Sequence, residues 1–114
     1  MIRGSIYRCD DFVHCFIFLA AHDRNRFLAI MLTSKGRYNN VPFKETHFKK
    51  VDNEGHPFSI THRPSYFPYT LLIKRSDVNG LNKVGELTDE GISFVEETLE
   101  GQEPETWEDF KRKN

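Results

Sequence analysis

Hydrophobic positions fall into two registers along this chain. Up to about residue 87 they alternate or run together over strand-length stretches; beyond it they recur at helical spacing. Residues 4–9, GSIYRC, alternate after the glycine, with Ile6 and Arg8 against Tyr7 and Cys9, which predicts a short half-buried strand. Asp10-Asp11 is a polar turn. Residues 13–22, VHCFIFLAAH, are a nearly continuous apolar run rich in β-branched and aromatic side chains. HDRNR at 22–26 supplies turn residues, and FLAIMLTS at 27–34 makes a third strand. These two runs form a hairpin. Their unbroken apolarity implies burial on both faces for part of their length.

Turn formers break up the middle of the chain. Residues 35–43, KGRYNNVPF, read as a loop. THFKKV at 46–51 predicts a short strand, and DNEG at 52–55 a turn. Residues 56–68 contain three prolines, which leaves an edge strand or a long loop there. YTLLIKR at 69–75 is a good strand, and Val84 and Leu87 bracket Gly85 at the end of another. Thr88 is a natural N-cap, with Asp89 and Glu90 where carboxylates meet the positive end of the helix dipole. Ile92, Val95 and Leu99 then make one apolar stripe, and Gly101 suits the stop. Pro104 is expected in the first turn of a second short helix carrying Trp107 and Phe110. The prediction is a mainly β fold of five or six short strands with C-terminal helix: a closed or half-open barrel crossed by one amphipathic helix. Residues 1–101 form that domain, and residues 102–114 an acidic short helix or tail.

With 114 residues, one domain can bury a core without a metal or disulfide staple. No run approaches the roughly 18 apolar residues of a membrane span; the longest apolar stretch, residues 15–21, is strand length. The N-terminal MIRGSIYRCDD lacks the apolar region of a signal peptide, so the expected location is cytoplasmic. Cys9 and Cys15 are too few for a disulfide framework and are expected as free buried thiols. The net charge of −1 hides an asymmetry. Through Glu86 there are 13 Lys+Arg and 8 Asp+Glu, a net of +5; from Leu87 onward there are 3 and 9, a net of −6. A basic body can offer a nucleic-acid surface, while the acidic end reads as a solvated helical face.

Chemistry-bearing residues are sparse. There is no Gly-rich phosphate loop and no nucleophile elbow. Histidines 14, 22, 47, 56 and 62 have no metal-site spacing, and His47, His56 and His62 read as surface residues. Tyr66, Phe67 and Tyr69, beside Arg63, fit either base stacking or core packing. The most informative stretch is LTSKG at 32–36, where an apolar strand ends in two hydroxyls, a cation and a glycine. That pattern suits a turn, or a site at the lip of a barrel.

The order of a short GSIY strand, a hairpin ending IMLTS, and GELTDE leading into a helix resembles the MazF/PemK family of toxin endoribonucleases. The hairpin is also similar to that of the ToxN/AbiQ ribonucleases, which share the fold class. The resemblance covers roughly residues 4 to 99 in three short islands. It implies a small SH3-like (MazF/PemK-type) β-barrel and metal-independent cleavage of single-stranded RNA by 2′-OH attack, with no cofactor. Such a reaction needs a base, an acid and donors for the phosphorane. The resemblance implies that Thr33 contacts the scissile phosphate. Ser34 can donate a second hydrogen bond, and Lys35 or Arg37 can neutralise charge. Arg24, Arg26, Arg37, Arg63 and Tyr66 are the candidate RNA contacts. A homodimer and an antitoxin protein are the implied partners. The chain departs from the family where an Arg-Pro pair opens the second strand: it has DFVHCF at 11–16. His14 stands near that place, and a histidine can serve as acid or base near neutral pH. The alternative is a catalytically inactive SH3-like barrel that binds nucleic acid or a protein partner.

Overall fold

The computed structural model describes residues 1–113. Its elements are β1 (Ser5–Arg8), β2 (Phe16–Asp23), β3 (Arg26–Met31), β4 (Val41–Pro42), a 3₁₀ turn (Glu45–His47), β5 (Tyr66–Phe67), β6 (Leu72–Arg75), β7 (Asn82–Glu86), α1 (Asp89–Thr98), β8 (Glu105–Thr106) and α2 (Trp107–Lys113). Six strands form one mixed sheet in the order β7-β1-β2-β3-β6-β8, and β4 and β5 form a separate small ladder. The large sheet is antiparallel except for β8, which runs parallel to β6. The sheet is open, with β7 and β8 as its ends.

The predicted hairpin is the centre of the sheet. Its turn is tighter than expected, because Asp23 accepts from the Asn25 backbone (3.0 Å) and from Arg26 Nε (2.8 Å), so β3 already begins at Arg26. At the other end β2 starts late. Val13 is 98% exposed and Val13 and His14 lie in a bend, so the apolar run supplies a strand only from Phe16.

Alternation along the strands gives the sheet two different faces. Ile6, Ile17 and Ile30 point to one side, where they join Phe43, Phe48, Phe67, Val84 and Leu87. Helix α1 closes this core with Ile92, Val95 and Leu99, the predicted stripe. Burying each such side chain is worth roughly 1.5–3 kcal/mol. Thr88 caps the helix as expected, its Oγ1 accepting from Gly91 N at 3.1 Å. Tyr7, Cys9, Phe16, Phe27 and Ala29 point to the opposite side, a smaller aromatic cluster flanked by Phe12 and Phe18. Cys9 belongs to this cluster and Cys15 packs against the other, so sheet geometry separates the two free thiols; Cys15 is only half-buried.

Three expectations are corrected. Residues 46–51 are not a strand. His47 Nδ1 accepts from the Lys44 backbone (2.9 Å), which winds the chain into a 3₁₀ turn, and Phe48 and Val51 keep only isolated bridges to Leu87 and Pro57. His47 is buried, not on the surface: its ring stacks on Phe94 with centroids 4.5 Å apart. Pro104 precedes α2 rather than opening it. Glu105 and Thr106 first pair with Leu72 and Ile73, and Thr106 then caps α2 by accepting from Asp109 N at 3.2 Å. The prolines of residues 56–68 do exclude a central strand: that segment contributes only β5 and isolated bridges at Pro57 and Tyr66.

Among the described residues no helix is long and apolar enough to cross a membrane.

Candidate functional site

The end of β3 explains the LTSKG stretch. Leu32 N still bonds to Cys15 O (2.9 Å), but Thr33 leaves β2 for a new partner. Thr33 and Tyr66 exchange backbone hydrogen bonds at 2.9 and 2.8 Å. The strand therefore passes from the large sheet to the small ladder at Thr33. The Thr33 hydroxyl accepts from Lys35 N at 3.2 Å, a local side-chain turn that bends the chain away. Thr33 as a residue is buried, and its hydroxyl keeps its own O–H to donate. Gly36 follows because the Tyr66 ring lies against its backbone: a Cβ there would sit 2.8 Å from Tyr66 Cζ.

The loop then folds back as a lip. Asn40 Nδ2 donates to Lys35 O (2.9 Å), and Tyr38 and Asn39 adopt φ of 62° and 60°. Left-handed backbone is costly for a bulky residue, and such strain gathers at functional sites. Tyr38 is 77% exposed at this lip.

Beneath the lip is a cleft of about 640 Å³. His14, Thr33 and Lys35 line one part of it, Tyr69 and Thr70 another, and Phe110 and Lys113 of α2 a third. Glu105 organises the far wall. It accepts from Thr70 Oγ1 (2.9 Å) and from Lys113 Nζ (2.7 Å), and these contacts hold its carboxyl below the usual carboxylate range. Lys113 is correspondingly raised and stays cationic, but its charge is shared with Glu105. His14 and Lys35 are exposed and form no ion pair among the described residues.

Three of the four predicted catalytic residues thus meet at one cleft. Ser34 is exposed but does not line it. The predicted RNA contacts are scattered. Arg37 sits at the lip, 5.5 Å from the Tyr38 ring. Tyr66 is half-buried against Gly36, and Arg63 lies in an exposed bend outside the cleft. Arg24 and Arg26 occupy the β2–β3 turn, with Arg26 paired to Asp23. Arg26 and Thr33 are seven steps apart along extended chain, about 23 Å at strand rise. Of the aromatic run, Phe67 is core, whereas Tyr69 is 49% exposed and faces the cleft.

A smaller cavity of about 350 Å³ adjoins the cleft and shares His14 and Met31 with it. Its wall includes Phe12, Lys74, Trp107 and Lys111, none of which the sequence pattern singled out for chemistry. The available signal was the LLIKR alternation, which puts Lys74 on the same face as buried Leu72. Among the described residues no group of three or more His, Cys, Asp or Glu is placed to hold a metal ion. Comparison of the chain with protein-family models, with curated proteins and with solved structures finds no match.

Proposed function

We propose that this chain is a metal-independent endoribonuclease of the MazF/PemK toxin type, acting on single-stranded RNA at the cleft beneath the 35–40 lip. The observation that carries the reading is the meeting of His14, Thr33 and Lys35 in one cleft, from positions up to 21 residues apart in sequence. In this scheme the ribose 2′-oxygen attacks the adjacent phosphorus and His14 takes its proton. Lys35 and the free O–H of Thr33 stabilise the charge on the phosphorane oxygens. The P–O5′ bond then breaks, the leaving oxygen gains a proton from water at the cleft mouth, and a 2′,3′-cyclic phosphate and a 5′-hydroxyl remain. Tyr38 and Tyr69, both exposed, offer flat faces for unpaired bases. The same reading carries a homodimer, an antitoxin partner and a cytoplasmic site of action.

The SH3-like barrel belongs to this reading too. The outer side of β7 receives Ile60 N on Val84 O (2.8 Å) and Lys49 N on Glu86 O (2.9 Å), while β3 continues through Thr33 into β5. These bonds add partners beyond β7 and at the tip of β3, and they support the reading of a sheet that curls toward a barrel.

One observation favours the second reading, a non-catalytic nucleic-acid binder: the Thr33 hydroxyl already serves its own turn, and Ser34 lies outside the cleft. Incubation of the protein with a long RNA in EDTA separates the two. Cleavage that His14→Ala abolishes supports the enzyme; binding without cleavage supports the binder.

A further inference from the structure

Two lysines of this chain are half-buried, Lys49 and Lys74. Lys49 is paired with Glu86 at 2.8 Å. The Lys74 ammonium has no ion pair and no hydrogen bond among the described residues. Its ammonium lies 4.0 Å from the centre of the Phe12 ring and 5.8 Å from that of Trp107. Burial pushes its pKa down, opposed in part by Cys9 and Glu108. Two ring faces compensate a desolvated cation only partly, and its N–H donors gain nothing from them that an anion would supply.

The space in front of Lys74 is the cavity of about 350 Å³ next to the cleft. His14 and Lys111 line it as well. The carboxylate in its wall is Asp11, which is already engaged as acceptor from Asn79 N at 2.6 Å. The cavity therefore combines basic groups with aromatic walls, at a volume within the usual range for small-molecule sites.

We propose that this cavity is a phosphate subsite with an aromatic wall, in which Lys74 and Lys111 hold the phosphate of a nucleotide and Trp107 or Phe12 packs on its base. The phosphate has two possible sources, an RNA strand running out of the neighbouring cleft or a free mononucleotide. The inference goes beyond the proposed cleavage and does not need it: a binder without catalysis keeps the subsite.

Trp107 is the single tryptophan of the chain, so intrinsic fluorescence of the full-length protein reports on the cavity wall. Titration with adenosine monophosphate should change that fluorescence saturably. Adenosine and inorganic phosphate, each lacking half of the recognition, should bind at least roughly tenfold more weakly. Lys74→Met should weaken the nucleotide by roughly tenfold or more, and Lys111→Gln, a surface change that leaves the core intact, by a few-fold. Circular dichroism checks that each variant is folded; if Lys74→Met does not fold, Lys111→Gln decides. Equal affinity for adenosine and its monophosphate overturns the proposal, as does unchanged nucleotide affinity in the folded variants. A single-stranded RNA that displaces the mononucleotide identifies the strand as the source, and one that binds alongside it identifies the free nucleotide. Absence of RNA cleavage with this binding intact would overturn the enzyme reading alone.

Discussion

Thr33 shows how one residue joins structure and chemistry. Its backbone bonds to Tyr66, its hydroxyl accepts from Lys35 N, and the residue lines the cleft. Thr33→Ala removes one weak local hydrogen bond, so stability should fall by about 1 kcal/mol or less in urea denaturation. If Thr33 also donates to the phosphorane, RNA cleavage should fall by roughly two orders of magnitude in the same variant. A loss of stability without loss of rate would make it a turn residue only. Ser5 tests a different account of a buried hydroxyl. It is fully buried and its Oγ has no hydrogen-bond partner among the described residues, which is a desolvation cost with no return. Ser5→Ala should therefore raise stability, by about 1 kcal/mol, which a shift in the denaturation midpoint would register.

Helix α1 and the 3₁₀ turn beside it form a closely packed joint. Thr88 N donates to His47 O at 2.9 Å, and a Cβ on Gly91 would clash with that same oxygen. Alanine is favoured over glycine in an isolated helix by about 1 kcal/mol. Here the sign should reverse: Gly91→Ala forces the helix off the turn at a cost of roughly 1–3 kcal/mol, visible as a lowered Tm. An equal or higher Tm would mean that the helix is not seated as described. The joint also sets a pH dependence. Burial holds His47 below its ordinary value of 6.5, an effect that Glu90 opposes only in part. The folded state therefore binds this proton less readily than the unfolded chain, and stability is full above the ordinary value and lost as pH falls through the lowered one. Burial raises Glu86, but Lys49 and Lys83 outweigh it and hold its carboxyl below the ordinary 4.5, so its own loss begins only in that lower range. Denaturation midpoints measured downward from neutral pH should show an early decline that His47→Asn removes, because Asn can still accept from Lys44 N. A decline unchanged by that substitution would assign it to other groups.

Elements of this kind differ in how far the sequence discloses them. The cap, stripe and stop of α1 are local, so Thr88, Val95 and Gly101 could be read directly. The β2–β3 hairpin was legible for the same reason. Burial of His47 was not, because it depends on Phe94, far along the chain in α1. The 46–51 segment misled because its residues have strand propensity, and a single side-chain acceptor on Lys44 N outcompetes it.

At the scale of the whole molecule, the missing information is the docking of the C-terminus. Charge pattern alone makes residues 102–114 an acidic appendage. In the structure β8 becomes the sixth strand, its Glu105 N bonded to Leu71 O at 2.9 Å, and α2 contributes walls to both cavities. Nothing in the local sequence of Glu105–Thr106 announces a parallel pairing with β6, so the environment of Lys74 was out of reach. His14, Thr33 and Lys35 were legible as residue types, and the cleft that unites them was not. Deleting residues 102–114 should therefore weaken binding of single-stranded RNA, measured by fluorescence anisotropy, whereas a merely screening acidic tail would leave it stronger. Affinity of the intact chain should fall as salt rises, since phosphate contacts at Lys35, Lys74 and Lys111 release counterions.

Cleavage at the cleft can be tested in a single assay. Purified protein is incubated with a long single-stranded RNA in EDTA, beside His14→Ala, and the product ends are identified. The wild type should give fragments ending in 2′,3′-cyclic phosphate, with the rate reduced by roughly 10² or more in the variant. Intact RNA from the wild type, with EDTA and with added divalent metal alike, would contradict it.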